Sequence, residues 1–224
     1  METTYIEIDS PDKHLSDVLE EIPSNVILYK TLTGIGATYS EIKAQRHSII
    51  IEPNVPVIIG KCNSAKHKND NLLGVYEGVT TDRIIKYLGA SRGKYYKILT
   101  TPESFTKVKD AFLIFNGKIY NTCFLLIDEA HKTIKDVDYR SDIVLPMNDF
   151  FKFKGKALVS ATPLKFSDPR FEENGFSIIK IEPTYDYAKE IDIKPSTNIL
   201  REVWEEFGWM PFITGQDKDR PFFI

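Results

Sequence analysis

The segment at residues 125 to 131 carries the side chains with the clearest chemical potential in this chain. It reads Leu-Leu-Ile-Asp-Glu-Ala-His, an apolar run that stops at two adjacent carboxylates, Asp128 and Glu129, and then reaches His131. An apolar run that ends in a polar turn is typical of a buried parallel strand, and reactive groups gather at the carboxyl ends of such strands. Because adjacent residues of an ending strand point in different directions, one carboxylate could hold a metal while the other faces a water molecule.

A glycine-rich turn follows an earlier apolar run. Residues 30 to 38 read Lys-Thr-Leu-Thr-Gly-Ile-Gly-Ala-Thr. The two glycines would let backbone amides approach a phosphate closely, and the helix predicted after the turn would contribute its positive end. The fit to the P-loop pattern is partial, because Ala37 stands where that pattern has a lysine, just before Thr38 at the position of a magnesium ligand. The cations that could take the place of this lysine are Lys30, Lys43 and Arg46.

Three further segments place polar turn residues after an apolar run. They read Glu52-Pro53-Asn54, Thr100-Thr101-Pro102-Glu103 and Ser160-Ala161-Thr162. Each alone is typical of an ordinary capped turn. Together with the glycine turn and the acidic pair, in this order, they indicate one site built from several strand ends.

The elements that must position these segments follow from hydrophobic patterning. From Val26 onward, short apolar runs alternate with amphipathic or polar stretches, which is the pattern of βαβ units and a parallel sheet. Residues 61 to 71 are predicted to form a basic surface loop. The predicted strands are Val26–Tyr29, Ser48–Ile51, Lys97–Thr100, Thr122–Ile127, Ala157–Ser160 and Phe176–Ile181. The predicted helices are Thr38–Ala44, Thr80–Leu88 and Glu103–Phe112, with weaker periodicity at Val55–Lys61 and Asn148–Lys152.

The composition is that of an ordinary globular protein. The 224 residues are 42% hydrophobic and 27% charged, with a formal net charge of -3, so nucleic-acid binding would have to come from local cations and backbone donors. Cys62 and Cys123 form no C-x-x-C pair, which argues against a zinc site and suits reduced thiols in the cytoplasm. The sequence shows no signal peptide and no apolar run of about 18 residues, so no membrane span is expected.

The set of motifs resembles the first RecA-like domain of superfamily two helicases, the DEAD/DEAH-box group. The resemblance covers about residues 24 to 165. Residues 128 to 131 match the Walker B box letter for letter, Ser160-Ala161-Thr162 matches the coupling motif, and residues 33 to 38 match the phosphate loop except at Ala37. The resemblance implies an α/β fold, a RecA-like P-loop NTPase domain with a mostly parallel sheet flanked by helices on both faces.

The resemblance also implies ATP and Mg²⁺ as cofactors and assigns roles to particular residues. Asp128 and Thr38 would hold the metal, partly through water, and Glu129 would position or deprotonate the attacking water. His131 would link the nucleotide state to strand binding through Ser160, Ala161 and Thr162. The ATP-binding residues would be Thr33, Gly34, Ile35, Gly36, Ala37 and Thr38, with Lys30 added as the substitute cation. The residues that would contact a DNA or RNA strand are Pro53, Asn54, Thr100, Thr101, Pro102 and Glu103.

The last forty residues have a different character. Prolines at 183, 195 and 211 surround an amphipathic stretch, Thr197–Phe207, and the sequence ends in an apolar run. We therefore expect one RecA-like domain over residues 1–182, and a linker with the start of a truncated second domain over residues 183–224. The partner of this domain would be a second RecA-like domain beyond residue 224.

Three functions are compatible with this sequence. The first is the N-terminal motor domain of an ATP-dependent helicase or translocase acting in the cytoplasm, which the acidic pair favours. The second is a catalytically silent relative that serves as a nucleic-acid or protein-binding module, which Ala37 favours. The third is a nuclease or recombination subunit whose other chemistry lies outside these residues.

Overall fold

The computed structural model describes residues 1–32, 34–135, 144–162 and 168–186. The chain separates into two units, residues 1–187 and 188–224, and the description concerns the first. Thr33 of the glycine turn and the amphipathic stretch Thr197–Phe207 lie outside the described residues, as does nearly all of the predicted linker.

The described residues form a parallel sheet of eight strands. The order across the sheet is β1-β8-β2-β7-β6-β3-β5-β4, and each pair of neighbours is parallel. All of its strands therefore end at the same edge. The strands are β1 (Thr3–Ile8), β2 (Val26–Lys30), β3 (Ser48–Ile51), β4 (Leu72–Val75), β5 (Lys97–Thr100), β6 (Phe124–Ile127), β7 (Gly155–Ser160) and β8 (Ser177–Pro183).

Helices connect the strands and cover the sheet. They are α1 (Leu15–Val18), α2 (Ala37–Lys43), α3 (Val55–Asn63), α4 (Thr81–Ala90), α5 (Phe105–Phe115), α6 (Ile119–Thr122), α7 (Ala130–Lys135), α8 (Val144–Phe150) and α9 (Arg170–Glu173), with a 3-10 turn at Ala65–His67. Among the described residues, no helix is long and apolar enough to cross a membrane.

The sheet separates two apolar cores. Successive strand residues point to opposite faces, so Ile50 packs in one core while Ile49 and Ile51 pack in the other. The first core is closed by helices α1 to α3, for example through Ile58, and the second by α4 and α5, for example through Phe112. Helices thus lie on both faces of a parallel sheet, and the predicted fold class is confirmed.

The six predicted strands and five predicted helices are all present. The strand predicted to start at Thr122 instead starts at Phe124, because Ile119–Thr122 form the short helix α6. The prediction of a loop from residue 61 is wrong at its start, because α3 continues to Asn63. Strands β1 and β4 are additional, and both lie at the outer edges of the sheet. Most residues of β1 are exposed and several are polar, and β4 has only four residues, one of them glycine, so neither gives the long apolar run by which a buried strand is recognised.

We predict that packing of α5 against the sheet is a main source of stability. Phe112 is completely buried, whereas Leu113, its neighbour on the same helix, is 74% exposed. Phe112→Ala should lower the free energy of unfolding by about 3 to 5 kcal/mol, because it leaves a cavity in the core. Leu113→Ala should change it by less than about 0.5 kcal/mol. Urea unfolding of both variants measures the contrast, and similar losses for the two would contradict it.

Candidate functional site

The five polar segments meet at the carboxyl edge of the sheet. They follow β2, β7, β6, β3 and β5, which are consecutive neighbours in the sheet. Parallel pairing therefore brings residues that are far apart in sequence to one edge. The residues at these five strand ends are Lys30, Ser160, Asp128, Glu52 and Thr101.

The glycine turn between β2 and α2 has a left-handed backbone. Gly34 has φ of +81°, and Gly36, which begins α2 as its N-cap, has φ of +89°. A Cβ at Gly34 would have open space around it, so the backbone conformation is what requires glycine there. Ala37 is 3% exposed and packs in an apolar core, so it supplies no charge to the turn.

Lys30 supplies an ammonium group where the turn lacks one. It is the last residue of β2 and is buried, and its Nζ lies 3.0 Å from Asp128 Oδ1 and 2.7 Å from Glu129 Oε1. Burial by itself lowers the pKa of Lys30, but the two carboxylates outweigh it and raise that pKa above its usual value. Lys30 is therefore charged at neutral pH.

The other two cations considered from the sequence are engaged elsewhere. Lys43 Nζ lies 2.7 Å from an Asp70 carboxylate oxygen, and Arg46 Nη2 lies 2.6 Å from Glu41 Oε2. Neither lines the cavity beside the glycine turn. Of the three, only Lys30 reaches the acidic pair.

Asp128 is a buried carboxylate held between positive and neutral donors. Both Lys30 and the Thr38 hydroxyl donate to it, the latter to Oδ2. Burial by itself raises the pKa of Asp128, but Lys30, Thr38 and Lys61 together hold it below its usual range. Asp128 is therefore ionised at neutral pH, with its charge compensated inside the fold.

Glu129 differs from the expectation based on an extended strand. Its φ is +49°, a left-handed conformation that is uncommon for a residue with a side chain, and its N–H donates to Asp128 Oδ1 at 2.8 Å. The prediction that the two carboxylates diverge is wrong, because this backbone turn directs both of them to Lys30.

Glu52 and Lys61 both line the cavity, although the sequence named Glu52 only as part of the segment Glu52-Pro53-Asn54 and Lys61 only as the start of a surface loop. Glu52 follows β3 and is 2% exposed, and its Oε1 lies 3.2 Å from Thr38 Oγ1 and contacts Lys61 Nζ. Burial, and then the charge of Asp128, raise the pKa of Glu52 above its usual value. No short-range pattern could reveal the pair, since nine residues separate its members across a turn and two turns of helix.

His131 joins the acidic segment to the turn after β7. The Ser160 hydroxyl donates to the Thr162 carbonyl at 2.7 Å and accepts from the Thr162 N–H at 3.1 Å. His131 Nδ1 lies 3.1 Å from Ser160 Oγ and 3.4 Å from Glu129 Oε2. Ala161 lies between the two hydroxyl residues in this turn.

The segments after β3 and β5 are adjacent but differ in exposure. Asn54 and Glu103 are exposed and Pro53 is half-buried. The hydroxyl of Thr101 accepts from the Ser104 N–H at 3.3 Å, which fixes the turn before α5. Residues that are buried and therefore offer no side chain to a bulky ligand are Thr100, Thr101 and Pro102.

A cavity of about 320 Å³ lies beside the glycine turn. Its lining includes Gly34 and Gly36, the carboxylates of Asp128 and Glu129, and the side chains of Asn54 and Lys61. The donor set fits a phosphate and a hard cation, because left-handed glycine amides suit an anion while a hydroxyl next to a carboxylate is an oxygen pair that Mg²⁺ prefers.

Comparison with known proteins supports the fold. No protein-family model matches the sequence, and no curated protein matches it. The helicase domain of Hef from Pyrococcus furiosus is similar in structure, with a TM-score of 0.50 and 14% identity over 77% of this chain and 38% of that chain. At this identity the likeness shows the fold alone, which is the RecA-like fold of a helicase domain.

Two further structures have lower scores. A hypothetical ATP-dependent RNA helicase from Sulfolobus tokodaii has a TM-score of 0.47 and 17% identity over 70% of this chain and 48% of that chain. A DEAD box protein from Methanococcus jannaschii has a TM-score of 0.45 and 20% identity over 70% of this chain and 45% of that chain. The matched region spans less than half of the length of each solved chain.

We predict that the stabilising effect of Lys30 depends on pH through Asp128. In the wild-type protein the pKa of Asp128 lies below 3.8, so its favourable contribution is present at neutral pH and lost only as the pH falls through that lowered value. Lys30→Met removes the strongest of the causes that lower the pKa of Asp128 and leaves the burial that raises it, so we expect a higher pKa in the variant. Protonation on acidification therefore stabilises the variant.

Urea unfolding at pH 7 and pH 5 tests this. The free energy of unfolding of Lys30→Met should be about 3 kcal/mol lower than that of the wild type at pH 7. The difference between the two free energies should be smaller at pH 5. Lys86→Met, on the exposed face of α4, is the matched control and should show a small difference at both values. A difference for Lys30→Met that does not change with pH would contradict the pairing.

Proposed function

We propose that this chain is the N-terminal motor domain of an ATP-dependent helicase or translocase, acting in the cytoplasm. It binds and hydrolyses ATP with Mg²⁺ and holds a DNA or RNA strand by its phosphates. The observation that carries the proposal is the convergence of Lys30 and Thr38 on the buried carboxylate of Asp128, next to a left-handed glycine turn.

Lys30 takes the role of the lysine that Ala37 replaces. An ammonium group has three N–H donors, and two of them contact Asp128 and Glu129. The third, or one released by a carboxylate, is available to a phosphate oxygen at the glycine turn. The cation thus comes from the end of β2 rather than from the start of α2, but it lies beside the same cavity.

Asp128 and Thr38 are the residues that would hold Mg²⁺, with Asp128 acting partly through water. When bound, Mg²⁺ neutralises phosphate charge, which is the main requirement of phosphoryl transfer. Glu129 orients the attacking water or accepts its proton. Its left-handed backbone places the carboxylate beside Lys30 and within 3.4 Å of His131 Nδ1.

His131 transmits the state of this site to the neighbouring strand end. It contacts Glu129 on one side and Ser160 on the other, and Ser160 in turn holds the backbone of Thr162. A displacement of Glu129 would therefore shift His131 and, through Ser160, the backbone of the turn after β7. This is the contact by which nucleotide state would alter strand binding.

The turns after β3 and β5 form the grip on the strand. Asn54 and Glu103 are exposed there, while Thr101 holds its turn from within the fold. Backbone amides and a few polar groups suffice for binding that ignores base sequence, which suits a chain with a net charge of -3. A second RecA-like domain beyond residue 224, reached through the linker of residues 183–224, would complete the cleft.

A second candidate function is a catalytically silent nucleic-acid or protein-binding module. Ala37 favours it, because the turn itself offers no cation. The two functions differ in nucleotide turnover, because a motor domain hydrolyses ATP and a silent module does not.

The full-length protein should hydrolyse ATP with magnesium, and a polynucleotide should stimulate the reaction. Glu129→Gln should abolish the stimulated turnover while ATP binding is retained, because the amide cannot accept the proton of the attacking water. Glu172→Gln makes the same change on the exposed surface of α9 and should leave turnover unchanged. Absence of stimulated turnover in the wild-type protein would favour the silent module.

Lys30→Ala should raise the Kd for ATP by about tenfold or more, because a charge-assisted contact in a buried site is lost. Lys86→Ala, an exposed lysine on α4, serves as the control and should bind ATP like the wild type. Titration with a fluorescent ATP analogue measures both variants. An unchanged affinity in Lys30→Ala would remove Lys30 as the substitute cation.

A further inference from the structure

Lys61 is a second ammonium group that lines the same cavity as Lys30. It lies in the last turn of α3, and its side chain is 26% exposed. Its Nζ contacts Glu52 Oε1, and the Glu52 side chain is only 3% exposed. Within the described part of the chain, Glu52 is the sole polar partner recorded for this ammonium group, so its other N–H donors remain available.

The position of Lys61 is defined by an acceptor atom that it shares with Thr38. Glu52 Oε1 contacts Lys61 Nζ, and the same oxygen lies 3.2 Å from Thr38 Oγ1. Two groups that contact the same oxygen are necessarily close to each other.

We propose that Lys61 binds the terminal phosphate of ATP while keeping its contact with Glu52. This inference rests on the proposed function, since it assigns a ligand group to a residue of the same cavity. A phosphate held beside Thr38 lies within reach of the free donors of Lys61. Lys30 and Lys61 then both contact the phosphates in this cavity, and together they replace the single lysine that the glycine turn lacks.

A purely structural role explains the arrangement less well. An ion pair that served only to fasten α3 to the end of β3 would have no need to lie in the cavity beside the glycine turn. Glu52 instead holds the ammonium group against the wall of that cavity and compensates its charge.

Nucleotide titrations of the full-length protein test the proposal through the preference for ATP over ADP. Lys61→Met should weaken binding of Mg-ATP by about tenfold and that of Mg-ADP by less than about twofold, because only ATP has the γ-phosphate, the terminal phosphate that Lys61 is proposed to bind. Lys61→Arg should retain most of the preference for ATP. Lys86→Met is the matched control and should bind both nucleotides like the wild type.

The outcomes distinguish this inference from the function on which it rests. Equal weakening of ATP and ADP in Lys61→Met, accompanied by loss of thermal stability, would assign Lys61 a structural role and overturn the inference. Unchanged ATP affinity in Lys61→Met, with weakened binding in Lys30→Ala, would overturn it and leave the proposed function intact. A wild-type protein that binds no nucleotide would overturn both.

Discussion

The buried contact of Lys30 with Asp128 and Glu129 is the interaction on which the rest of the site depends. A charge in a protein interior costs several kcal/mol unless a partner compensates it, so these three residues must come together when the chain folds. Strands β2 and β6 are not neighbours. They flank β7, where Ile27 of β2 and Ile127 of β6 both pair with Leu158. This common register brings the ends of β2 and β6 to the same level on either side of β7. The ion pair is thus a consequence of strand order, and it in turn requires that order.

The apolar residues that stabilise the fold and the polar residues of the candidate site lie mostly in different parts of the sheet. Its two apolar cores contain mainly the alternating residues of the strands and the inward faces of the helices. The charged and hydroxyl groups concentrate at that edge, where backbone turns leave room for them. A rigid parallel sheet can therefore support left-handed residues such as Gly36 and Glu129 at the site without loss of the fold.

Much of the fold was predictable because the central strands are continuous apolar runs. Ile49–Ile51 and Leu125–Ile127 are buried on both faces and carry a strong signal, whereas the edge strands β1 and β4 are half exposed and were missed. The site was predictable to the extent that its residues follow strands. The shared orientation of the two carboxylates was not, because it depends on the positive φ of Glu129. Lys61 was missed because its partner lies nine residues away across a turn.

The sequence by itself determined which chemical groups stand at the strand ends, their order along the chain and the absence of a lysine from the glycine turn. The tertiary structure alone decided which cations lie beside that turn. Lys30 and Asp128 are 98 residues apart, and no periodicity relates them. Lys43 and Arg46 lie closer to the turn in sequence than Asp128 does, yet Asp70 and Glu41 engage them elsewhere. Strand order determines which charged groups are buried next to each other, and buried charges must be compensated by their neighbours. Separation along the chain has no part in this.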